Sequence, residues 1–477
     1  MNRYRRLTLL LLLVLATPLW AMPLDQAPRI IKGDLEQLLD ERVLRVLVAY
    51  DNAYYFLNQG MQDGLSVQQA RAFEKWLNKR YFQGQKLKLN VVFIPVRSDQ
   101  LYSMLADGQG DLVIANSTVT EARRALVDFS EPVYQGIHEW LVSGQGMRPL
   151  TRLSELSGKR VWVRRSASYY DSLLRLNEQL AAQGLAPVYI ETVDESLQDV
   201  DLLQQVSEGR LPYTVVDSQK AALWQGTFHN LTLHKAVSLR ENGELAWAFR
   251  KQSPQLAEAV NAFLVNYRQG TSQGEALYRR YLSQPVQLAR RHAASTPDDL
   301  GWRDGRYARY APLFQKYADK YDFDWLLLLA QAYQESNLDS GARSSQGAVG
   351  LMQVMPATAR HLKVSNIGSA ENNILAGAKY LAQLRDEFFT DPDMDDLNRY
   401  FFTLAAYNAG PNRIAGLRAE AAKQGLDPNV WFDNVEQLAA SRIGSETVRY
   451  VTDITLRYVA YRRSYELMAE RRLAQRQ

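Results

Sequence analysis

The hydrophobic pattern of this 477-residue chain changes period near residue 300. Upstream, short β-rich runs alternate with longer segments of helical spacing. Residues 44–49, 87–93, 112–115, 159–163, 188–191 and 213–216 read as strands, and residues 35–41, 67–81, 98–106, 170–183 and 197–208 read as helices. The run Leu112-Val113-Ile114-Ala115 is apolar throughout, as in a strand covered on both faces of a parallel sheet. This alternation predicts an α/β domain with mostly parallel sheets. Downstream, residues 325–334, 371–389, 397–407 and 446–466 are long and lack strand alternation, which predicts an all-α domain. A polar break holding Gln284, Pro285, Ser295, Thr296, Pro297, Asp298, Asp299 and Gly301 separates the two. The domains are expected at about residues 40–285 and 305–477, with a linker at 286–304.

Composition narrows the chemistry. At 46% hydrophobic and 23% charged, the chain has apolar material for large cores. The lack of Cys removes disulfides, thiolate metal sites, cysteine nucleophiles and lipid attachment through an N-terminal Cys. The five His, at 138, 229, 234, 292 and 361, are too scattered for a metal-binding helix, so no metal is expected. A formal net charge of +4 without a basic stripe makes no case for a nucleic-acid partner. Arg3, Arg5 and Arg6 precede a mostly apolar run at 7–15, then Pro18 and Ala21. That order predicts a signal peptide over residues 1–21, and the run is shorter than the ~20 residues a membrane span needs. Export to a Gram-negative periplasm is expected, with peripheral attachment to the outer membrane left open.

In the α/β half the informative stretch runs from Gly110 to Pro132. The strand at 112–115 leads into Asn116, Ser117 and Thr118, and Arg123 follows five residues after Thr118. Ligands of open α/β sheets sit beyond the carboxyl ends of strands, and an Arg there offers a planar fork to a carboxylate. Alone, Arg123 also fits a surface cap or ion pair, and Asp217 a strand-end turn. With Asp128-Phe129-Ser130-Glu131-Pro132 added, the stretch resembles the extracellular solute-binding family 3, the amino-acid-binding periplasmic proteins. The resemblance implies a two-lobed periplasmic-binding-protein-like domain with crossover strands at a hinge, its second lobe at about 143–232. It implies that Arg123 holds a ligand α-carboxylate, that Asp217 holds the ammonium, and that Thr118, Ser166 and Ser168 lie at the ligand. A free amino acid and a muropeptide fragment of the cell wall both fit. Tyr54-Tyr55-Phe56 is more aromatic than the family's usual pattern, and Val67-Gln68 stands where an acidic pair is common. No nucleophile–base pair is visible in this half, so binding is expected there and chemistry is not.

The helical half carries a sharper signal. Residues 325–330 are all apolar and lead into Gln331-Ala332-Tyr333-Gln334-Glu335-Ser336. Glu335 then falls in the last turn of a buried helix. Burial disfavours a carboxylate, and so does the negative end of the helix dipole. Both keep a proton on Glu335 near neutral pH, as a general acid for glycosidic cleavage requires. Gly347 and Gly350 permit close approach of backbone to ligand. Taken singly, each residue has an ordinary explanation. Glu335 is a helix-end charge, Met352 is core, Tyr407 is core with a bonded hydroxyl, Ser344 is a turn cap, and Glu446 is an N-terminal helix charge. In order, four blocks resemble the soluble lytic transglycosylase family with its lysozyme-like domain. They are Glu335-Ser336, Gly350-Leu351-Met352-Gln353, Ala406-Tyr407-Asn408-Ala409-Gly410 and Glu446-Thr447.

That resemblance implies that Glu335 is the catalytic acid/base and that Ser344 assists the intermediate. It implies that Met352, Gln353 and Tyr407 position an N-acetylmuramyl sugar, and that Glu446 and Tyr450 orient the glutamate. The substrate is then the peptidoglycan glycan strand, cut with a single carboxyl group and no metal or organic cofactor. The muramyl acetamido group stands in for the second carboxylate of most glycosidases, and the sugar's own 6-hydroxyl closes a 1,6-anhydro ring. Two other readings stay open at this point. One is a periplasmic amino-acid or muropeptide-binding protein with a vestigial catalytic domain. The other is a muramidase that uses water. Arg123 and Asp217 together raise the expectation that the binding domain regulates the catalytic one.

Overall fold

The computed structural model describes residues 32–287, 290 and 305–476. The expected signal peptide lies outside them, as does most of the expected linker. The first lobe is built on a five-stranded sheet in the order Asn90–Val96, Val43–Ala49, Leu112–Val113, Ala248–Phe249, Asp128–Phe129. Along Val43–Ala49, Val46 and Val48 join one core and Leu47 another, the two-residue period of a strand covered on both faces. The second lobe's sheet runs Leu231–Leu245, Tyr134–Gly144, Tyr213–Asp217, Arg160–Arg164, Tyr189–Val193.

The expectation of mostly parallel sheets needs correction. Each sheet is mixed, with four parallel and four antiparallel pairings over the two. The cause is the hinge. The chain passes out to the second lobe on Tyr134–Gly144 and returns on Leu231–Leu245, and an out-and-back pair is antiparallel. Register shifts between His234 and Leu245 bend that pair along its length.

Residues 305–476 form helices, with only two isolated bridges around Val349. Asp324 caps helix Trp325–Ser336 by accepting from the Leu326 N–H at 2.9 Å. That helix is buried from Leu326 to Tyr333, as a sequence apolar on all sides requires. Among the described residues no helix is long and apolar enough to cross a membrane.

One element touches all parts of the molecule. Helix Ser445–Gln475 has 31 residues, about 46 Å at 1.5 Å per residue. Over its first half it packs on Trp325–Ser336, where the Tyr458 hydroxyl donates to Asp324 Oδ2 at 2.6 Å and Arg457 to Gln334 Oε1 at 3.0 Å. In its middle it lies against strand Asn90–Val96, and the Tyr461 hydroxyl donates to the Gly60 carbonyl at 2.8 Å. Near its end, Arg471 grips Asp201 of the second lobe with two bonds, Nη2 to Oδ1 at 2.7 Å and Nε to Oδ2 at 3.0 Å. Both side chains are buried. A second tie joins Arg42 of the first lobe to Asp433 and Glu436 of the helical domain. The apolar cores of the first lobe and the helical domain are continuous, whereas much of the second lobe packs around a core of its own.

Removing one partner of a buried ion pair strands the other charge, at about 3–5 kcal/mol. Arg471→Met is expected to lower the thermal midpoint and to speed amide exchange in the last turns of Ser445–Gln475 and in helix Asp199–Ser207. Hydrogen-exchange mass spectrometry measures this, and wild-type protection in both segments would show that the pair does not hold them.

Candidate active site and ligand cleft

Glu335 occupies the last turn of Trp325–Ser336, facing the start of Ser445–Gln475. The Tyr450 hydroxyl donates to Glu335 Oε1 at 2.5 Å, and Gln331 Nε2 donates to that hydroxyl at 3.1 Å. Burial pushes the Glu335 carboxyl up to about 7, against the downward pull of the Tyr450 hydrogen bond. The Tyr407 phenol interacts with Glu335 through space, and burial keeps both phenols neutral far above the working range. A carboxyl with this pKa can both give and take a proton near neutrality.

The loop from Ala342 to Gln353 forms the wall beside it. Gly350 has φ +78°, and a Cβ there would sit 2.6 Å from Asn373 Nδ2. Buried Asn373 holds this turn, accepting from the Met352 N–H at 2.7 Å and donating to the Val349 carbonyl at 2.8 Å. Gln353 adopts φ +45° and its amide donates to the Gly350 carbonyl at 2.8 Å, closing the same turn.

Hydrogen bonds join the four separated sequence blocks. The Ser336 hydroxyl donates to the Leu351 carbonyl at 2.9 Å, and the Tyr407 hydroxyl to the Met352 carbonyl at 2.7 Å. Thr447 donates to Asn408 Oδ1 at 2.7 Å, and Tyr450 to Glu335.

Individual residues divide. Glu335, Gln353, Tyr407 and Tyr450 come together. Met352 is fully buried and meets Gly377, so its side chain is core here and does not line an open groove; its backbone is what the site uses. Ser344 is exposed and its Oγ accepts from the Ala348 N–H at 3.0 Å, a turn cap. Glu446 is exposed in the first turn of its helix, where a negative charge suits the N-terminus. Neither is hydrogen-bonded to Glu335. Gln331 and Asn373 went unread in the sequence, although a Gln within the apolar run 325–332 was a visible signal.

The five residues expected in the α/β half, Thr118, Arg123, Ser166, Ser168 and Asp217, line one cavity of about 60 Å³ between the lobes. Arg123 donates to the Thr118 carbonyl at 2.6 Å and to the Ser166 carbonyl at 2.9 Å, bridging the lobes. Asn116 donates to Asp217 Oδ2 at 2.6 Å, and Arg164 to Ser98 Oγ at 2.7 Å, also across the cleft. The cleft is thus closed by contacts of protein with protein. Burial pushes Asp217 up to about 7, and its Oδ1 is buried without a partner. Ser166 Oγ is engaged by Glu195 at 2.5 Å. Sequence reasoning missed the charged floor. Asp199 bonds Arg164 at 2.6 Å and Lys220 at 2.7 Å; burial alone would raise its pKa, but the two cations hold it well below the usual carboxylate range.

Comparisons with known proteins fit both halves. Residues 44–284 match the bacterial extracellular solute-binding proteins, family 3, and residues 312–429 match the transglycosylase SLT domain. An ancestral arginine-binding protein bound to glutamine is similar in structure at a TM-score of 0.40 and 23% identity, over 50% of this chain and 97% of that one. The chain is thus a lytic transglycosylase of peptidoglycan that carries a solute-binding domain. The membrane-bound lytic murein transglycosylase F of Desulfosudis oleivorans is 31% identical over 76% of this chain and 79% of its own length. That of Stutzerimonas stutzeri is 30% identical over 85% and 79%. The chain belongs to the membrane-bound lytic murein transglycosylase F family.

A carboxyl with a raised pKa binds more protons in the folded than in the unfolded chain between about pH 4.5 and 7, so its contribution to stability falls as pH rises through that window. Glu335→Gln removes this cost. It is expected to raise the free energy of unfolding at about pH 8 by roughly 3 kcal/mol and to leave it unchanged at about pH 4. Denaturant titrations at the two pH values test this, and equal stabilities at the higher pH would mean that Glu335 ionises freely.

Proposed function

We propose that Glu335 is the single acid/base of a non-hydrolytic cleavage of the β-1,4 bond between N-acetylmuramic acid and N-acetylglucosamine. Protonated Glu335 gives its proton to the glycosidic oxygen, and the N-acetylglucosamine end leaves as an alcohol. The muramyl 2-acetamido oxygen stabilises the electron-poor anomeric carbon. Glu335, now a carboxylate, takes the proton of the muramyl 6-hydroxyl. That oxygen bonds to the anomeric carbon and closes the 1,6-anhydro ring, returning Glu335 to its starting state. The attack is intramolecular and needs no water. The observation that carries this reading is the placement of Glu335 in the last turn of its helix, its carboxyl raised by burial and held by the Tyr450 hydroxyl, which donates to Oε1 at 2.5 Å. Tyr450 then orients the carboxyl, Tyr407 and Gln353 fix the wall against which the muramyl sugar lies, and Met352 supports that wall from beneath. Ser344 and Glu446 keep their proposed roles at the intermediate and at the glutamate, to be reached on substrate binding.

In the cleft, Arg123 takes the α-carboxylate of an amino acid or muropeptide in place of the Thr118 and Ser166 carbonyls, and Asp217 takes the ammonium. The free Oδ1 of Asp217 supports this assignment. Occupancy of the cleft regulates the catalytic domain through the Asp201–Arg471 contact. Asp199 and Asp201 share one helix, and the first faces the cleft while the second holds Ser445–Gln475. The protein works in the periplasm, attached peripherally to the outer membrane, a placement supported by the N-terminal charge and apolar pattern and by the relatives' description as membrane-bound.

Mass spectrometry of digested sacculi tests the chemistry. Wild-type protein is expected to release anhydromuropeptides, lighter by one water than hydrolysis products, and Glu335→Gln none. Reducing-end products would establish a muramidase instead. For the cleft, Arg123→Ala is expected to abolish calorimetric binding of muropeptides or amino acids and any activity change they cause. Absence of both effects in wild type would remove the regulatory reading.

A further inference from the structure

One polar group beside the acid/base has no role in the chemistry above. Gln331 lies one turn before Glu335, between Ala330 and Ala332, and is fully buried. Its neighbours from Leu326 to Ala330 are all buried and apolar, so a Leu or Met would suit the surroundings better. A buried amide is costly unless both its ends are bonded. Here one end is. Nε2 donates to the Tyr450 hydroxyl at 3.1 Å, while Oε1 is buried without a partner. The helix therefore keeps an incompletely satisfied amide where apolar packing is available, and the bond it does make leads directly to Glu335.

A phenolic hydroxyl has one proton to donate. With the Gln331 N–H directed at its oxygen, the Tyr450 hydroxyl is an acceptor on that side, and its own proton is left for Glu335 Oε1 at 2.5 Å. We propose that Gln331 is a positioning residue for the transglycosylase reaction, fixing the direction of the Tyr450 hydroxyl so that it donates to the Glu335 carboxylate. This rests on Glu335 being the acid/base. Gln331 reaches no substrate. It acts by polarising a chain of two hydrogen bonds, which strengthens the second of them and favours the ionised carboxyl that must accept the 6-hydroxyl proton.

The groups around Glu335 permit a clean readout. Tyr450 and Tyr407 face it from helices Ser445–Gln475 and Asp396–Ala409, and both titrate far above the assay range. Arg457, on the same long helix as Tyr450, is engaged by Gln334 Oε1 at 3.0 Å. Glu446 and Arg343 are exposed.

The test compares the full-length wild type with Gln331→Met and Gln331→Leu, measuring kcat, KM and their pH dependence on defined glycan strands, with thermal melts in parallel. Loss of the amide is expected to move the basic limb of kcat/KM up by about half a pH unit, because the ionised carboxyl loses support. It is expected to lower kcat several-fold with KM unchanged, and to leave the thermal midpoint equal or higher, since an unsatisfied buried carbonyl has been removed. An unmoved basic limb overturns the proposal, and so does a fall in activity that only follows a lower melting temperature. Glu335→Gln is assayed alongside. If it stays active, the acid/base assignment itself fails, a result distinct from a failure at Gln331.

Discussion

A carboxyl group that is to carry a proton at neutral pH must be kept from water and yet be held in place. In this protein the constraint falls on the pairing of helix Trp325–Ser336 with helix Ser445–Gln475. The first supplies Glu335 at the end of a buried stretch that is apolar but for Gln331, and the second supplies the Tyr450 hydroxyl that keeps the carboxyl directed. The opposing influences of burial and hydrogen bond set the carboxyl near the midpoint of its titration. Ser336, Tyr407, Thr447 and Asn373 then tie the surrounding loop and helices to this pair. The site is assembled from buried polar contacts between elements far apart in sequence, which makes it intolerant of small displacements.

The same long helix makes the two domains one object. Its middle rests on the first lobe, whose apolar core runs on into the helical domain. Its end reaches the second lobe through one buried ion pair. Two-lobed binding domains change shape by moving one lobe against the other across hinge strands such as Tyr134–Gly144 and Leu231–Leu245. Here the first lobe is joined to the helical domain by a continuous apolar core and by the Arg42 ion pairs, while the second lobe keeps part of its core to itself and is tied to the long helix at Asp201.

Much of this was legible in the sequence. The switch of period near residue 300 separated the two architectures, because strand alternation and helical spacing are local signals. Glu335 was legible from the apolar run before it. Arg123 and Asp217 stood out only through the family resemblance, since position alone also fits a surface cap and a turn, and the structure brings both to one cavity. The illegible part has a common physical character. Asp199, Asp201, Lys220 and Arg471 on helices, and Arg164 at a strand end, are charges that look solvated in sequence and are buried where a partner from a distant segment meets them. The hinge strands read poorly because their pairing is antiparallel and shifted in register, which breaks up the two-residue alternation along them. Met352 was ambiguous for a different reason. A residue at a site can serve it through its backbone, and the side chain's identity then reports on the core behind.

The positions of three contacts along Ser445–Gln475 give the helix the proportions of a balance. Tyr461 sits near the middle of the contacted span, with Tyr450 about 16 Å away on one side and Arg471 about 15 Å away on the other, at 1.5 Å per residue. If the helix tilts as a rigid rod about the Tyr461–Gly60 contact, a sideways shift at Arg471 returns at Tyr450 with nearly the same size and the opposite direction. The arms neither amplify nor damp the motion. In that geometry a displacement of about 1 Å at Asp201 corresponds to one of about 1 Å at Tyr450, larger than the spread of ordinary hydrogen-bond lengths.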